Sequence, residues 1–200
     1  MNELSTEQRT RVVAALVEVN SLRAVSRMTG THRTAIQKLL VELGTACSIF
    51  QDRVLRNLTC KIIQCDEIWA FVGCKEKNVT EETKAAGWGD VWTWVSMDAE
   101  TKLIPCWYVG TRDGGAAYHF IHDLAGRLAH RVQLTTYGHK PYLQAIEDAF
   151  GSEIDYAQLI KIYGEAEKTE ARYSPAQCMG TRKAVVSGNP EKAHISNVLH

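Results

Sequence analysis

The run KIIQCDEIWAFVG, Lys61–Gly73, constrains this chain more than any other stretch. It is apolar and β-branched enough to be a buried strand. Asp66 nevertheless stands inside it, with Ile62 and Ile63 before and Ile68, Trp69 and Phe71 after. A carboxylate in apolar surroundings is costly unless it is paired, hydrogen-bonded or bound to a metal. Asp66 is therefore a candidate functional residue, because perturbed carboxylates gather at sites. The plainer alternatives are that it caps a bulge or meets an arginine.

The segments that follow predict what this strand packs with. CKEKNVTEETKAAGWGD is polar and reads as a loop. VWTWVSMDAETKLIPCWYVGTRD reads as a hairpin with its turn around Asp98–Thr101, and Pro105 argues for an edge or a bulge in its second arm. Trp92, Trp94 and Trp107 are expected in the core or on a sheet face. Gly114 and Gly115 break the chain before a helix over 116–128, followed by a strand over 132–136, a helix over 140–150 and a last strand over 155–162. Strands first, then strands alternating with helices, predict an α+β or α/β domain: a mixed sheet with flanking helices. His119 and His122 share a helix face with Asp123 beside them, but no further ligand accompanies them, and a solvated or capped face is the favoured reading. There is no His-x-His motif of the kind used by single-strand nicking enzymes.

The first 45 residues differ in character. Three helical patterns follow one another. The first opens at Ser5 or Thr6 with Val12, Val13, Leu16 and Val17 inward. The second is capped by Asn20 or Ser21, with Leu22, Val25 and Met28 inward, and ends at Gly30. The third is capped by Thr31, with Ile36, Leu39, Leu40 and Leu43 inward. A short helix, a glycine turn and a second helix predict a helix-turn-helix over residues 1–46. Thr31, His32, Arg33, Thr34, Gln37 and Lys38 would then face double-stranded DNA, being types suited to base edges and phosphates. Residues 47–59 are expected to be a linker and 60–200 the second domain.

Composition adds modest limits. The net charge is zero, but Lys and Arg outnumber Asp and Glu in residues 1–60 and the reverse holds in 61–160. A basic head on an acidic body suggests two modules with different partners. The six cysteines form no C-x-x-C pair, so free thiols are expected and a zinc ribbon is not. No apolar run approaches membrane-spanning length and there is no charged-then-apolar leader, so no membrane association and a cytoplasmic location are the expectation.

The blocks CDEIWAFVG, VWTWVSMDAETKLIPCWYVGTRD, VQLTTYGHKPYLQAIEDAFG and DYAQLIKIYG, in that order behind the trihelical head, resemble the transposases of the insertion-sequence-one type. That resemblance implies a ribonuclease H-like fold with two aspartates and a glutamate holding two divalent metals, usually Mg2+, for DNA strand cleavage and transfer. It also implies binding at terminal inverted repeats, a place in the bacterial cytosol with the nucleoid, and a homo-oligomer or a hetero-oligomer with intact transposase. Asp66 matches the first aspartate and is the expected metal ligand. The second is expected in a block reading T-T-D-G-H, where this chain has Tyr137. The third would lie on a helix beyond Asn-Pro-Glu-Lys-x-His-x-Ser; here NPEKAHIS, residues 189–196, is followed by NVLH and the end of the sequence.

The domain is therefore expected to be an incomplete ribonuclease H-like one. A phenol cannot replace a carboxylate on Mg2+, and one lost charge at ~4 Å is worth roughly 4 kcal/mol at an effective dielectric of 20. The expectation is weak or absent metal binding and lost catalysis. The alternatives are a DNA-binding repressor of transposition and a relic without function. Tyr137 as a nucleophile would need cations around the scissile phosphate, for which Arg112, His139 and Lys140 are the candidates.

Overall fold

The computed structural model describes residues 4–164 and 178–196, and the chain divides into two compact units, Met1–Leu55 and Arg56–His200.

The first unit is three helices, α1 (Thr6–Val17), α2 (Leu22–Thr29) and α3 (Arg33–Val54). α1 begins with a reciprocal cap: the Gln8 N–H donates to Ser5 Oγ at 3.2 Å, and the Ser5 N–H donates to Gln8 Oε1 at 2.9 Å. Ser21 caps α2 by accepting the Ala24 N–H. Gly30 ends it at φ 70°, left-handed backbone that glycine adopts without a Cβ penalty. The cap of α3 is His32, whose Nδ1 accepts the Thr34 N–H at 3.3 Å, and not Thr31. Thr31 is buried instead: its N–H donates to Thr29 Oγ1 and its carbonyl accepts the Ser26 hydroxyl.

Val12, Ala15, Val25, Ile36 and Leu39 make the small core, with Val13, Leu16, Leu22 and Leu43 packed at its margin. Val17, Met28 and Leu40, expected inward, are exposed. Val17 lies five residues past Val12, which turns it roughly 140° away at 3.6 residues per turn. α3 does not stop near Leu43 but runs to Val54, so the first residues of the expected linker are helical.

The second unit is a six-stranded mixed sheet with flanking helices. Its strands are β1 (Ile62–Val72), β2 (Gly89–Asp98), β3 (Trp107–Gly110), β4 (Gln133–Tyr137), β5 (Asp155–Tyr163) and β6 (Cys178–Ser187). Their order across the sheet is β3-β2-β1-β4-β5-β6. β1, β2 and β3 are antiparallel neighbours, β1, β4 and β5 are parallel, and β6 returns antiparallel at the edge. The parallel steps are made by α5 (Gly114–Ala125) and α6 (Pro141–Phe150), as parallel neighbours require a crossover. The polar stretch read as a loop holds a 3-10 turn at Glu76–Asn78 and the short helix α4 (Glu81–Ala85).

The hairpin turn forms where expected. The Thr101 hydroxyl and N–H both donate to Asp98 Oδ2, and the Lys102 N–H closes onto the Asp98 carbonyl. Pro105 precedes β3, which is an edge strand. Trp94 is fully buried, Trp92 half-buried and Trp107 exposed. His119 stacks on Tyr108 and His122 packs on the Tyr118 ring. β6 went unrecognised because the described strand is exposed along nearly its whole length and shows no alternation.

The core lies between the sheet and the two crossover helices, around Ile63, Cys65, Trp94, Phe120, Leu134 and Tyr142. Side chains alternate along a strand, so Gln64 and Asp66 lie on the opposite face from Ile63 and Cys65. There the segment 189–196 is tied to the sheet. Glu191 N–H donates to Gln133 Oε1 at 2.8 Å, Gln133 Nε2 donates to the Glu191 carbonyl at 3.0 Å, and Gln64 Nε2 donates to Ser196 Oγ at 3.1 Å. Residues 197–200, the NVLH that follows, lie outside the described residues. The six cysteines are free thiols. No helix among the described residues is long and apolar enough to cross a membrane.

Candidate functional site

The parallel strands bring Asp66 and Tyr137 to equivalent positions. The β1–β4 register ends with Cys65 opposite Thr136. The next residue on each strand is Asp66 and Tyr137, and registered residues of neighbouring strands share a face. Both line an open cleft of about 630 Å³ at the C-terminal ends of β4 and β5. Asp66 is buried, and its Oδ1 accepts the Glu67 N–H at 2.8 Å. The Tyr137 phenol is pushed up to about 12, first by burial and then by the charge of Asp66. It is neutral at any physiological pH. Lys161, on β5, places its Nζ 4.1 Å from the centroid of the Tyr137 ring.

Glu67 was not singled out from the sequence. Its side chain is only 2% exposed, and Arg112, from the turn before α5, donates Nε and Nη2 to its Oε2 at 3.0 and 2.9 Å. The buried Tyr142 of α6 interacts with the Glu67 side chain from within the core. The arginine also lies 4.6 Å over the Trp92 ring, a cation–π contact that orients it. One of the plainer alternatives had Asp66 meeting an arginine; Arg112 pairs with the neighbouring Glu67. The visible signal was the adjacent Asp-Glu pair, which puts one carboxylate on each face of the strand.

His139 follows Tyr137 into the same cleft, before α6. Burial and the Arg112 charge hold its pKa below the ordinary value, with Glu67 acting the other way. Tyr137, Arg112, His139 and Lys140, the four residues of the nucleophile alternative, therefore share one cleft. A phenol held up near 12 is nonetheless a poor nucleophile at neutral pH.

Mg2+ asks for several hard anionic oxygens. Beside Asp66 the described residues offer a neutral phenol and a lysine ammonium, while the Glu67 carboxylate lies on the other face of β1 and is held by Arg112. Among the described residues no group of three His, Cys, Asp or Glu is placed to hold a metal. This donor set does not fit a two-metal centre.

The first unit holds a second cleft, of about 590 Å³, between the starts of α2 and α3. Of the residues expected to face DNA, His32, Arg33, Thr34 and Gln37 line it, and Arg23 joins them from α2. Arg23 was missed; its signal was a basic residue in the first turn of the preceding helix. Lys38 stands outside this cleft and lies 3.9 Å from Glu42 on the next turn of α3. Thr31 lies in the packing beneath, too buried to present its side chain.

No protein-family model and no curated protein matches the chain.

Proposed function

We propose that this chain is a transposase-type DNA-binding protein whose second unit is a ribonuclease H-like domain unable to cut or join strands. The observation that carries the reading is that Asp66, within β1, and Tyr137, at the end of the adjacent parallel strand β4, each follow the last registered pair Cys65–Thr136 and line one cleft, where the family resemblance expects two metal-holding aspartates. The sheet order supports the same fold assignment: three antiparallel strands, then two parallel ones reached through helices. In the first unit, α2, the left-handed Gly30 and α3 support a helix-turn-helix, with His32, Arg33, Thr34 and Gln37 turned outward as readers of a DNA groove.

On this reading the protein occupies terminal repeats without cleaving them, and so represses intact copies. The test is fluorescence anisotropy of the full chain, in EDTA and across a salt series. The probes are a duplex carrying the terminal repeat beside its gene and a scrambled duplex. Salt-sensitive binding that prefers the repeat supports the reading. Magnesium-dependent strand joining that Asp66→Ala abolishes would overturn the inactive site, and binding to neither duplex would overturn the DNA-binding head.

A further inference from the structure

We propose that the cleft at the ends of β4 and β5 binds single-stranded nucleic acid without a divalent metal, through Lys140, Lys161 and Tyr163. This deepens the nucleic-acid reading above and shares its premise, but it concerns the other unit and a different form of ligand.

The charge of the cleft favours an anion. Glu67 is neutralised by Arg112, which leaves Asp66 against Lys140 and Lys161. Lys161 sits on the ring of Tyr137, which lines the same cleft as Asp66. A covalently attached ammonium there is a permanent counter-charge for a phosphodiester, and a chelator cannot remove it. Lys140 is exposed at the start of α6, whose positive dipole end opens on the same cleft. His139 adds no positive charge at neutral pH, since burial and Arg112 disfavour its protonation.

The aromatic content selects the form of nucleic acid. Tyr163 lines the cleft with 57% of its surface exposed, at the end of the strand that carries Lys161. Tyr137, registered opposite Leu159 on β5, lines the same cleft with Lys161 on its ring. A basic groove with an open aromatic face is the arrangement that binds unpaired strands: phosphates take the cations and a base stacks on the ring. A duplex offers phosphates but no base face, so it cannot use Tyr163. The cleft volume of about 630 Å³ suits a nucleotide or two rather than a helix.

The experiment uses the full chain in EDTA with a fluorescein-labelled ten-nucleotide oligothymidine, read by anisotropy. The expected result is binding that weakens with salt and is not displaced by an equal concentration of unlabelled ten-base-pair duplex. Lys140→Gln with Lys161→Gln should weaken it by tenfold or more, and Tyr163→Ala by about tenfold, the size of one lost stacking contact. Lys84→Gln, an exposed lysine on α4, should leave it unchanged. A circular dichroism melt of each variant establishes that it is folded, and Tyr163→Phe, which keeps the ring, should restore binding. No binding of wild type in EDTA, displacement by the duplex, or unchanged affinity in the lysine pair would overturn the proposal. Failure of the terminal-repeat duplex to bind while oligothymidine still binds would sink the preceding reading and leave this one standing.

Discussion

Arg112 grips a single oxygen of Glu67 with two N–H groups, at 3.0 and 2.9 Å, and the carboxylate it holds is almost wholly buried. The pair closes one wall of the cleft and keeps a charge inside the second unit that would otherwise be expensive.

Arg112→Met should therefore destabilise the protein by more than a surface pair would suggest. Breaking a buried pair costs about 3–5 kcal/mol, but Arg112 is 40% exposed, so screening reduces this to roughly 1–3 kcal/mol. Glu67→Gln, which removes the buried charge itself, should cost less. Urea unfolding followed by tryptophan fluorescence compares them directly, because all five tryptophans lie in the second unit. Equal midpoints for wild type and Arg112→Met would mean the ion pair contributes nothing.

Two pH windows are expected. His139 has a folded pKa below its ordinary 6.5, so the unfolded chain takes up its proton first as pH falls. Its contribution is intact above 6.5 and declines as the pH drops through that value towards the lower folded one. Asp155 behaves as a depressed acid, held down by Arg131 and then by the Asn189 N–H against its ordinary 3.8. Its stabilisation is present above 3.8 and is lost as pH falls further. Urea midpoints from pH 3 to 8 (~1-unit steps) should show both. His139→Asn should flatten the upper window only, and Asp155→Asn the lower one.

Tyr137→Asp separates an electrostatic account of the site from a merely steric one. A second carboxylate beside Asp66 raises local repulsion, so the variant should melt lower than wild type in EDTA. Adding Mg2+ should recover part of the loss, while wild type should not respond. If millimolar Mg2+ raises the wild-type melting temperature as much as the variant's, the donor set around Asp66 has been misjudged.

Gly30→Ala tests the turn between α2 and α3. Nothing lies within 4 Å of an added Cβ, so crowding is not the issue. The cost is the left-handed φ of 70°, about 1 kcal/mol for a residue with a Cβ. The loss should show in helical circular dichroism and in affinity for the repeat duplex, and leave tryptophan fluorescence unmoved. A shift in the fluorescence transition instead would mean the two units unfold together.

Elements with strong local punctuation were legible. The Ser5 and Ser21 caps, the Gly30 stop and the Asp98–Thr101 turn depend on side chains within a few residues of the backbone groups they satisfy. β1, β4, α6 and β5 lie within a residue or two of their expected bounds, because continuous apolar runs are bracketed by Gly and Pro. α3 outran its expected end because its backbone hydrogen bonding continues past Leu43, after the inward apolar stripe has stopped meeting the core. β6 escaped because an exposed edge strand has no face to hide, and so no alternation to read.

At the candidate site the division follows the range of the interaction. The sequence by itself determined that a carboxylate sits in an apolar strand and that a tyrosine ends the strand before α6, since both follow from apolar pattern and local turn chemistry. The strand expected to be buried is so only from Ile62 to Asp66, and Ile68, Trp69 and Phe71 are exposed. Only the tertiary structure decided that Asp66 and Tyr137 are neighbours, that Arg112 serves Glu67, and that Lys161 rests on the Tyr137 ring. These contacts join residues on β1, β4, β5 and the turn before α5. Their meeting depends on parallel register set through two helical crossovers, and no pattern of spacing within one segment encodes it.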